Sequence, residues 1–245
     1  MHEQDDHPMI DRRAFLLSSS GAAAGSFLVA GLSERSAPDE AQTSASGLVT
    51  GIPKPLRHSD IPGFLSAAQI APHFTAHYGG ALTAFKGVEA EYDAMAAGGT
   101  PIDTQRFERL RQLQSSRGNS VILHELYFDG LSPSATAPSA ELRGAIASRF
   151  GSVDRWGVDF LASARAAAGW AMLVIHPVNG RLYNVVSDEH AQGPMWFAAP
   201  LVVIDTYEHA YYIDYQNRKS AYVDKFLEFV DWAEAERRYA RAMRA

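Results

Sequence analysis

Apolar residues recur at steps of three and four in the first half of the sequence. The clearest series is Leu82, Phe85, Val88, Tyr92 and Met95, and two glycines follow it. This spacing predicts a helix with one buried face, and glycine is the residue that most often ends a helix. The pattern therefore predicts a helix that runs as far as those glycines.

A second helical pattern begins at Asp103, a residue type that caps helix N-termini. Its apolar positions run from Phe107 to Leu113, and Gly118-Asn119 predicts an interruption. The pattern then resumes in the segment 121–128, VILHELYF, which is apolar on nearly every side. A helix of that kind is buried, so the single histidine within it must have a partner for its polar atoms.

The periodicity changes in the second half of the sequence. Two helical segments, at 140–150 and 153–168, precede runs of β-branched and aromatic residues that are typical of strands. The predicted strands are 170–175, 181–187 and 201–204. Asn179-Gly180, between the first two strands, is a strong signal for a hairpin turn. Apolar residues at helical spacing predict a C-terminal helix over 223–230.

Helices followed by short strands predict an α+β fold in two parts. The N-terminal part, residues 61–132, is predicted to be helical and to contain a long antiparallel helix hairpin. The C-terminal α/β part, residues 133–245, is predicted to be a three-stranded antiparallel sheet flanked by helices. The sequence has no internal repeat and no phosphate-binding glycine loop.

Residues 1–40 have the layout of a bacterial export signal, with charge first and an apolar run second. Arg12-Arg13 precedes a mildly apolar stretch, 14–32, and this arginine pair resembles a twin-arginine signal. The sequence thus predicts export by the twin-arginine machinery to the periplasm or outside the cell, with residues 41–60 as a linker. An uncleaved membrane anchor is the alternative, but four serines and three glycines dilute the stretch.

Composition limits the chemistry that the protein can perform. The formal net charge is -6, with 22 Lys and Arg against 28 Asp and Glu and no basic stripe, so nucleic acid is not an expected partner. The sequence contains no cysteine. Disulfides, thiolate zinc sites and a cysteine nucleophile are therefore excluded, and any metal must be held by nitrogen and oxygen ligands.

Histidines are the main candidates for such ligands. Five of the nine histidines lie in or beside predicted ordered elements: His73, His77, His124, His190 and His209. A lone histidine on an apolar face is usually a hydrogen-bonded core residue, so none of them predicts a site by itself. His73 and His77 are four residues apart and would share one helical face. Asp205 and His209 have the same separation, directly after the third predicted strand.

Three segments taken together resemble the iron/manganese superoxide dismutase family. The segments 205–212, DTYEHAYY, and 215–218, YQNR, match its C-terminal motif almost letter for letter. The segment 124–128, HELYF, matches its second motif, and His73 with His77 matches its first. The similarity extends from about residue 60 to about residue 240. It implies the fold of that family and the conversion of superoxide into hydrogen peroxide and dioxygen.

The resemblance also implies a metal site. By position, the ligands are His73, His124, Asp205 and His209, and they would bind one iron or manganese ion per subunit. Three imidazoles and one carboxylate suit a first-row ion and leave a position for solvent or substrate. The single negative charge of the carboxylate partly offsets that of the ion.

Further residues around this site receive roles from the same resemblance. A homodimer is implied, in which Glu208 reaches a ligand histidine of the other subunit and Tyr212 bonds His77 across the same interface. The sequence departs from the family at the gateway tyrosine, whose place is taken by Ala81 unless Tyr78 replaces it from one turn back.

The family's glutamine that contacts solvent at the metal is also missing. Its two usual positions hold Ser120 and Ala191. Some relatives carry a histidine in that loop, so His190 is the first choice for this role and Gln192 is the alternative. A milder change places Tyr207 where tryptophan is usual.

These departures surround a complete ligand set, and such outer residues tune redox potential and proton delivery. The leading hypothesis is a superoxide dismutase with His77, His190, Glu208 and Tyr212 as its catalytic residues. One alternative is a non-catalytic metal-binding or structural module on the same fold. Another is a metal oxidoreductase of altered specificity, because loss of the gateway tyrosine would widen the pocket.

Overall fold

The computed structural model describes residues 45–98, 103–193 and 195–244, so the predicted export signal lies outside the described residues. One compact unit spans Thr43–Ala245. Its α-helices are α1 (Gly47–Thr50), α2 (Ala67–Pro72), α3 (Gly79–Ala97), α4 (Thr104–Asp129), α5 (Ala140–Phe150), α6 (Val153–Ala166), α7 (Tyr212–Tyr215), α8 (Lys219–Phe226) and α9 (Trp232–Ala242). Among these described helices, none combines the length and the apolar character that crossing a membrane requires.

Helices α3 and α4 pack side by side as the predicted hairpin. Asp103 caps α4, since its side chain accepts hydrogen bonds from the backbone N–H groups of Gln105 and Arg106. The predicted interruption at Gly118-Asn119 is wrong, because α4 continues through it without a break. Gly118 instead allows close packing: a Cβ atom there would lie 3.2 Å from the Phe85 ring on α3.

The sheet consists of β1 (Trp170–His176), β2 (Arg181–Ser187) and β3 (Ala199–Asp205), in the order β2-β1-β3. Both pairings are antiparallel. Gly180 has a φ of 64°, the left-handed conformation that the predicted hairpin turn requires. The α+β prediction, with a helical part followed by a three-stranded antiparallel sheet, is confirmed.

The register of the sheet brings the start of β1 and the ends of β2 and β3 together at one edge. Trp170, the first residue of β1, is paired with Ser187 at the end of β2 and with Asp205 at the end of β3. Helix α4 packs against β3. The buried half of α4 therefore lies beside the sheet edge at which Asp205 emerges.

Residues 46–57, named here the N-terminal strap, belong to the segment that the sequence predicts as a linker. The structure instead bonds this strap to the domain. It begins with α1, capped by Ser46, and its backbone and side chains bond to Tyr78 and to α4. A short apolar and basic segment can bind a folded surface in this way although its composition is typical of a linker.

Candidate metal centre

Four side chains from distant parts of the chain converge at the sheet edge. One ligand atom from each of His73, His124, Asp205 and His209 lies within 4.8 Å of the other three. Asp205 Oδ2 is at the centre, 3.2 Å from His73 Nε2, 3.1 Å from His209 Nε2 and 3.8 Å from His124 Nε2. His73, His124 and Asp205 are buried and His209 is half-buried.

His73 begins a six-residue π-helix, His73–Tyr78, between α2 and α3. Such wide turns are rare and frequently occur at functional sites. His77 lies in the same turn, but only His73 joins the cluster. The ring of His77 instead stacks on that of His209, with 3.9 Å between the ring centroids and 15° between the planes.

His124 lies near the C-terminal end of α4, and its ring is fixed by the helix itself. Its Nδ1–H donates to the carbonyl oxygen of Ser120 at 2.7 Å, because a carbonyl can only accept. The Nε2 atom therefore carries the lone pair. It is buried and has no hydrogen-bond partner among the described residues. A buried acceptor without a partner is costly, and a metal ion bound at Nε2 would satisfy it.

Burial sets the protonation of the cluster. It lowers the pKa of His124 to about 3 and also lowers the pKa of His73. Burial alone would raise the pKa of Asp205, but hydrogen bonds from His209 and His73 outweigh it and hold that pKa below its usual range. Near neutral pH His73 and His124 are thus neutral imidazoles beside an ionised carboxylate, and these are the forms that bind metals.

Aromatic side chains enclose the cluster. Phe128 lies 4.8 Å from His73 and Trp170 lies 5.2 Å from His124, measured between ring centroids. Tyr207 stacks on His209 at 5.3 Å, and its backbone N–H donates to Asp205 Oδ1. This wall limits access of water and strengthens electrostatic interactions within it.

His190 lies beside the cluster, with its ring centroid 6.2 Å from that of His124. Its Nδ1 accepts a hydrogen bond from Trp170 Nε1 at 3.0 Å, and burial lowers its pKa. The neutral ring therefore carries its proton on Nε2. Gln192 is exposed, and its side-chain oxygen accepts from the backbone N–H of Asp188. Of these two candidates, the structure places His190 next to a predicted ligand.

Tyr78 does not occupy the place of the missing gateway tyrosine. Its hydroxyl donates to Glu125 Oε1 at 2.8 Å and accepts from the backbone N–H of Lys54 at 2.6 Å. The hydroxyl is thus engaged with the N-terminal strap. Ala81 is buried, and Ser120 Oγ lies 3.4 Å from His124 Nδ1, on the side of the ring away from the cluster.

The remaining candidates lie at the surface. Glu208, His77 and Tyr212 are exposed, Tyr212 with 48% of its surface. Sequence reasoning missed Asn119, whose Nδ2 donates to the carbonyl oxygen of His190 at 2.8 Å. In the sequence Asn119 belongs to a pair that predicts a helix interruption, and no sequence signal links it to a loop 71 residues away.

Fold and site together define a class of α+β proteins in which three imidazoles and one carboxylate converge and could hold a single metal ion. A family profile described as iron/manganese superoxide dismutases, C-terminal domain, matches residues 138–238. The chain belongs to the iron/manganese superoxide dismutase family.

Its relatives in this family include proteins named for either metal. "Superoxide dismutase (Fe)" of Cupriavidus metallidurans is 35% identical over 183 residues, which cover 74% of this chain and 91% of the relative. "Superoxide dismutase (Fe)" of Aquifex pyrophilus is 34% identical over 185 residues, 74% and 87% of the two chains. "Superoxide dismutase (Mn)" of Haloarcula marismortui is 31% identical over 192 residues, 78% and 93% of the two chains.

The lowered histidine pKa values predict acid lability of the metal-free protein. The pKa values of His73 and His124 are lower in the folded protein than the 6.5 expected in the unfolded chain. Between pH 6.5 and the pKa of each histidine in the folded protein, the unfolded chain therefore binds more protons than the folded protein does. The free energy of unfolding should therefore fall as pH drops below 6.5, by up to about 1.4 kcal/mol per pH unit for each histidine. Below about pH 4, Asp205, whose folded pKa is also lowered, adds to the loss.

Urea unfolding of the metal-free protein at pH 7, 6 and 5 measures this slope. His124→Gln, which cannot take up a proton, should reduce the slope by up to about 1.4 kcal/mol per pH unit, the contribution of one histidine with a lowered pKa. A free energy of unfolding that stays constant from pH 6.5 to pH 5 would contradict the assignment of buried, neutral histidines.

Proposed function

We propose that the protein is a superoxide dismutase that binds one iron or manganese ion per subunit through His73, His124, Asp205 and His209. The observation that carries the proposal is the convergence of these four side chains, with the buried Nε2 of His124 lacking any partner in the described part of the chain. Relatives named for iron and for manganese support the choice of these two metals. Imidazole and carboxylate ligands suit both.

The reaction consumes two superoxide ions and two protons and yields one hydrogen peroxide and one dioxygen. When bound, the ion would supply the one-electron redox chemistry that this reaction needs. The ionised Asp205 contributes the negative charge that offsets the cation. His190 offers a hydrogen bond through Nε2–H, because Trp170 engages its Nδ1. A fixed donor of this kind stabilises charge that develops beside it, and the two protons come from solvent.

A second candidate is a metal oxidoreductase of altered specificity. It is favoured by Ala81 in the gateway position and by the engagement of the Tyr78 hydroxyl with Glu125 and Lys54. A non-catalytic metal-binding module is the third reading.

Reconstitution with iron and, separately, with manganese, followed by a superoxide dismutation assay, tests the proposal. Activity in either metallated form supports the dismutase. Inert protein that still holds one metal per chain would refute it and leave the other two readings, and a screen of one-electron substrates then distinguishes them.

We further propose a homodimer closed across the metal sites. Glu208 would accept a hydrogen bond from the ligand His209 of the other subunit, and Tyr212 would donate to His77. Both Glu208 and Tyr212 are exposed, and both are close in sequence to His209. Burial and the neighbouring imidazoles His209 and His73 lower the pKa of His77 to about 4, so it is neutral and able to accept.

Replacing Glu208 by Ala is expected to weaken this dimer. Two-fold symmetry removes two hydrogen bonds to a charged group, each contributing about 1.5–3 kcal/mol, so the dimer dissociation constant should rise by about 100-fold or more. Analytical ultracentrifugation over a dilution series measures it. Glu108→Ala, which removes an exposed acid on α4, is the matched control and should leave association unchanged. A Glu208→Ala protein as dimeric as wild type would contradict the bridging role.

We also propose that the twin-arginine machinery exports the protein to the periplasm or beyond. The Arg12-Arg13 pair and the apolar stretch after it support this. Because Gly47 and Lys54 are bonded to the domain, cleavage of the signal should lie before Ser46. Mass spectrometry of protein from the periplasm tests both points. A chain retained in the cytoplasm, or one that begins after Gly47, would refute the corresponding part.

A further inference from the structure

A hydrogen bond joins the two helical segments that carry predicted ligands. Tyr78 ends the π-helix that begins with His73, and Glu125 directly follows His124 on α4. The Tyr78 hydroxyl donates to Glu125 Oε1 at 2.8 Å. Both side chains are buried, Tyr78 with 1% and Glu125 with 9% of its surface exposed. The bond therefore fixes one segment against the other within a residue of His124.

The N-terminal strap adds two more bonds to the same pair. The Gly47 N–H donates to Glu125 Oε1 at 2.8 Å, and the Lys54 N–H donates to the Tyr78 hydroxyl at 2.6 Å. Gly47 is needed for this approach, because a Cβ atom there would lie 3.0 Å from the Tyr78 hydroxyl, from Leu82 Cδ2 and from the carbonyl oxygen of Ile52. Together with the Tyr78–Glu125 bond, these form a continuous chain of three hydrogen bonds that runs from Gly47 through Glu125 and Tyr78 to Lys54.

Ion pairs hold the far end of the strap. Lys54 Nζ lies 2.5 Å from Asp129 Oδ2, one turn beyond Glu125 on α4. Arg57 donates to the carbonyl oxygen of Asp129 at 2.6 Å and pairs with Asp231 at 2.9 Å. The strap is consequently bound at two places on the protein, and the Glu125 contact does not depend on a single hydrogen bond.

A buried carboxylate is costly unless its oxygens are hydrogen-bonded, so an apolar residue would be the simpler choice for packing at position 125. Here the carboxylate links three separate segments of the chain beside a predicted ligand. We propose that Glu125, held by Gly47 and Tyr78, is a positioning residue that fixes His124 relative to His73 and thereby slows release of the metal. This inference rests on the metal site of the proposed function.

Metal release from the fully loaded protein tests the proposal. Glu125→Leu keeps the volume but removes both accepted hydrogen bonds, and the rate of metal loss to excess chelator should rise by about 10-fold or more, as it does when the outer partners of ligands are removed. Glu125→Gln retains an oxygen that accepts both bonds and should release metal within about twofold of the wild-type rate. Gly47→Leu, which displaces the strap, should behave like Glu125→Leu.

Leu142→Ala controls for general loss of stability. Leu142 is fully buried on α5, which packs against α6 and β2, so its replacement destabilises the fold without touching the Glu125 network. Its metal release should stay close to that of wild type. Equal acceleration in Leu142→Ala and Glu125→Leu would show that release follows stability alone and would overturn the positioning role.

An unchanged release rate in folded Glu125→Leu would also overturn it. If the Leu variant does not fold, Gly47→Leu and Tyr78→Phe provide the same comparison. Failure of the proposed function looks different, because wild-type protein would then either retain no iron or manganese or hold one metal per chain without dismutase activity. The release experiment therefore separates the two claims.

Discussion

Replacement of Asp205 by Asn is expected to remove most of the bound metal and, with it, the dismutase activity. Asp205 is the only carboxylate of the four-residue cluster, and its Oδ2 lies within about 4 Å of an Nε2 atom of each of the three imidazoles. Removing a residue that hydrogen-bonds to a metal ligand typically lowers the affinity for the metal by about 10–100-fold. Loss of the charged ligand itself should therefore lower affinity by about 100-fold or more.

Elemental analysis of the purified variant, together with its activity per bound metal, measures this effect. Asp224→Asn is a matched control, since Asp224 is an exposed carboxylate on α8 that pairs with Arg165 at the surface. The control should retain full metal content. Wild-type metal content in Asp205→Asn would show that Asp205 is not a ligand.

Replacement of His190 by Leu should separate catalysis from metal binding. His190 lies beside the cluster without belonging to it, so metal content should stay near that of wild type. Removal of one fixed hydrogen-bond donor at a reaction centre typically costs about 100-fold in kcat. We expect a loss of that size in superoxide turnover, with kcat falling while metal content is unchanged.

Gln192→Leu provides the comparison, because Gln192 occupies the same loop and competes for the same role. Its side chain is exposed and bonded to the Asp188 backbone, so turnover should change little. His190→Gln keeps a hydrogen-bond donor and should therefore retain part of the activity that His190→Leu loses. If Gln192→Leu were the inactive variant and His190→Leu the active one, the two roles would have to be exchanged.

The fold could be predicted from the sequence because local signals agree with the packing. The β-branched runs on both sides of Asn179-Gly180 form β1 and β2, and Asp205 ends β3, directly after the apolar run that predicts this strand. The four residues of the cluster were also found, but only through motif resemblance. Spacing alone could not do this, because His73 and Asp205 are 132 residues apart.

The features that sequence reasoning could not predict have a common physical cause, since each depends on contact between distant segments. Gly118 interrupts a helical pattern in the sequence, yet in the structure it makes room for Phe85 and α4 remains continuous. The strap has the composition of a linker, and only its hydrogen bonds to Glu125 and Tyr78 reveal that it is bound. The direction of the Tyr78 hydroxyl likewise depends on partners that sequence spacing does not specify.

Anomalous X-ray diffraction from crystals of the natively purified protein, recorded at the iron and manganese absorption edges, would locate the bound metal. We expect one anomalous peak per chain, at about 2 Å from His73 Nε2, His124 Nε2, Asp205 and His209 Nε2, as nitrogen and oxygen ligands require. A fully metallated protein whose peak lies elsewhere, or crystals without a peak at either edge, would contradict this expectation.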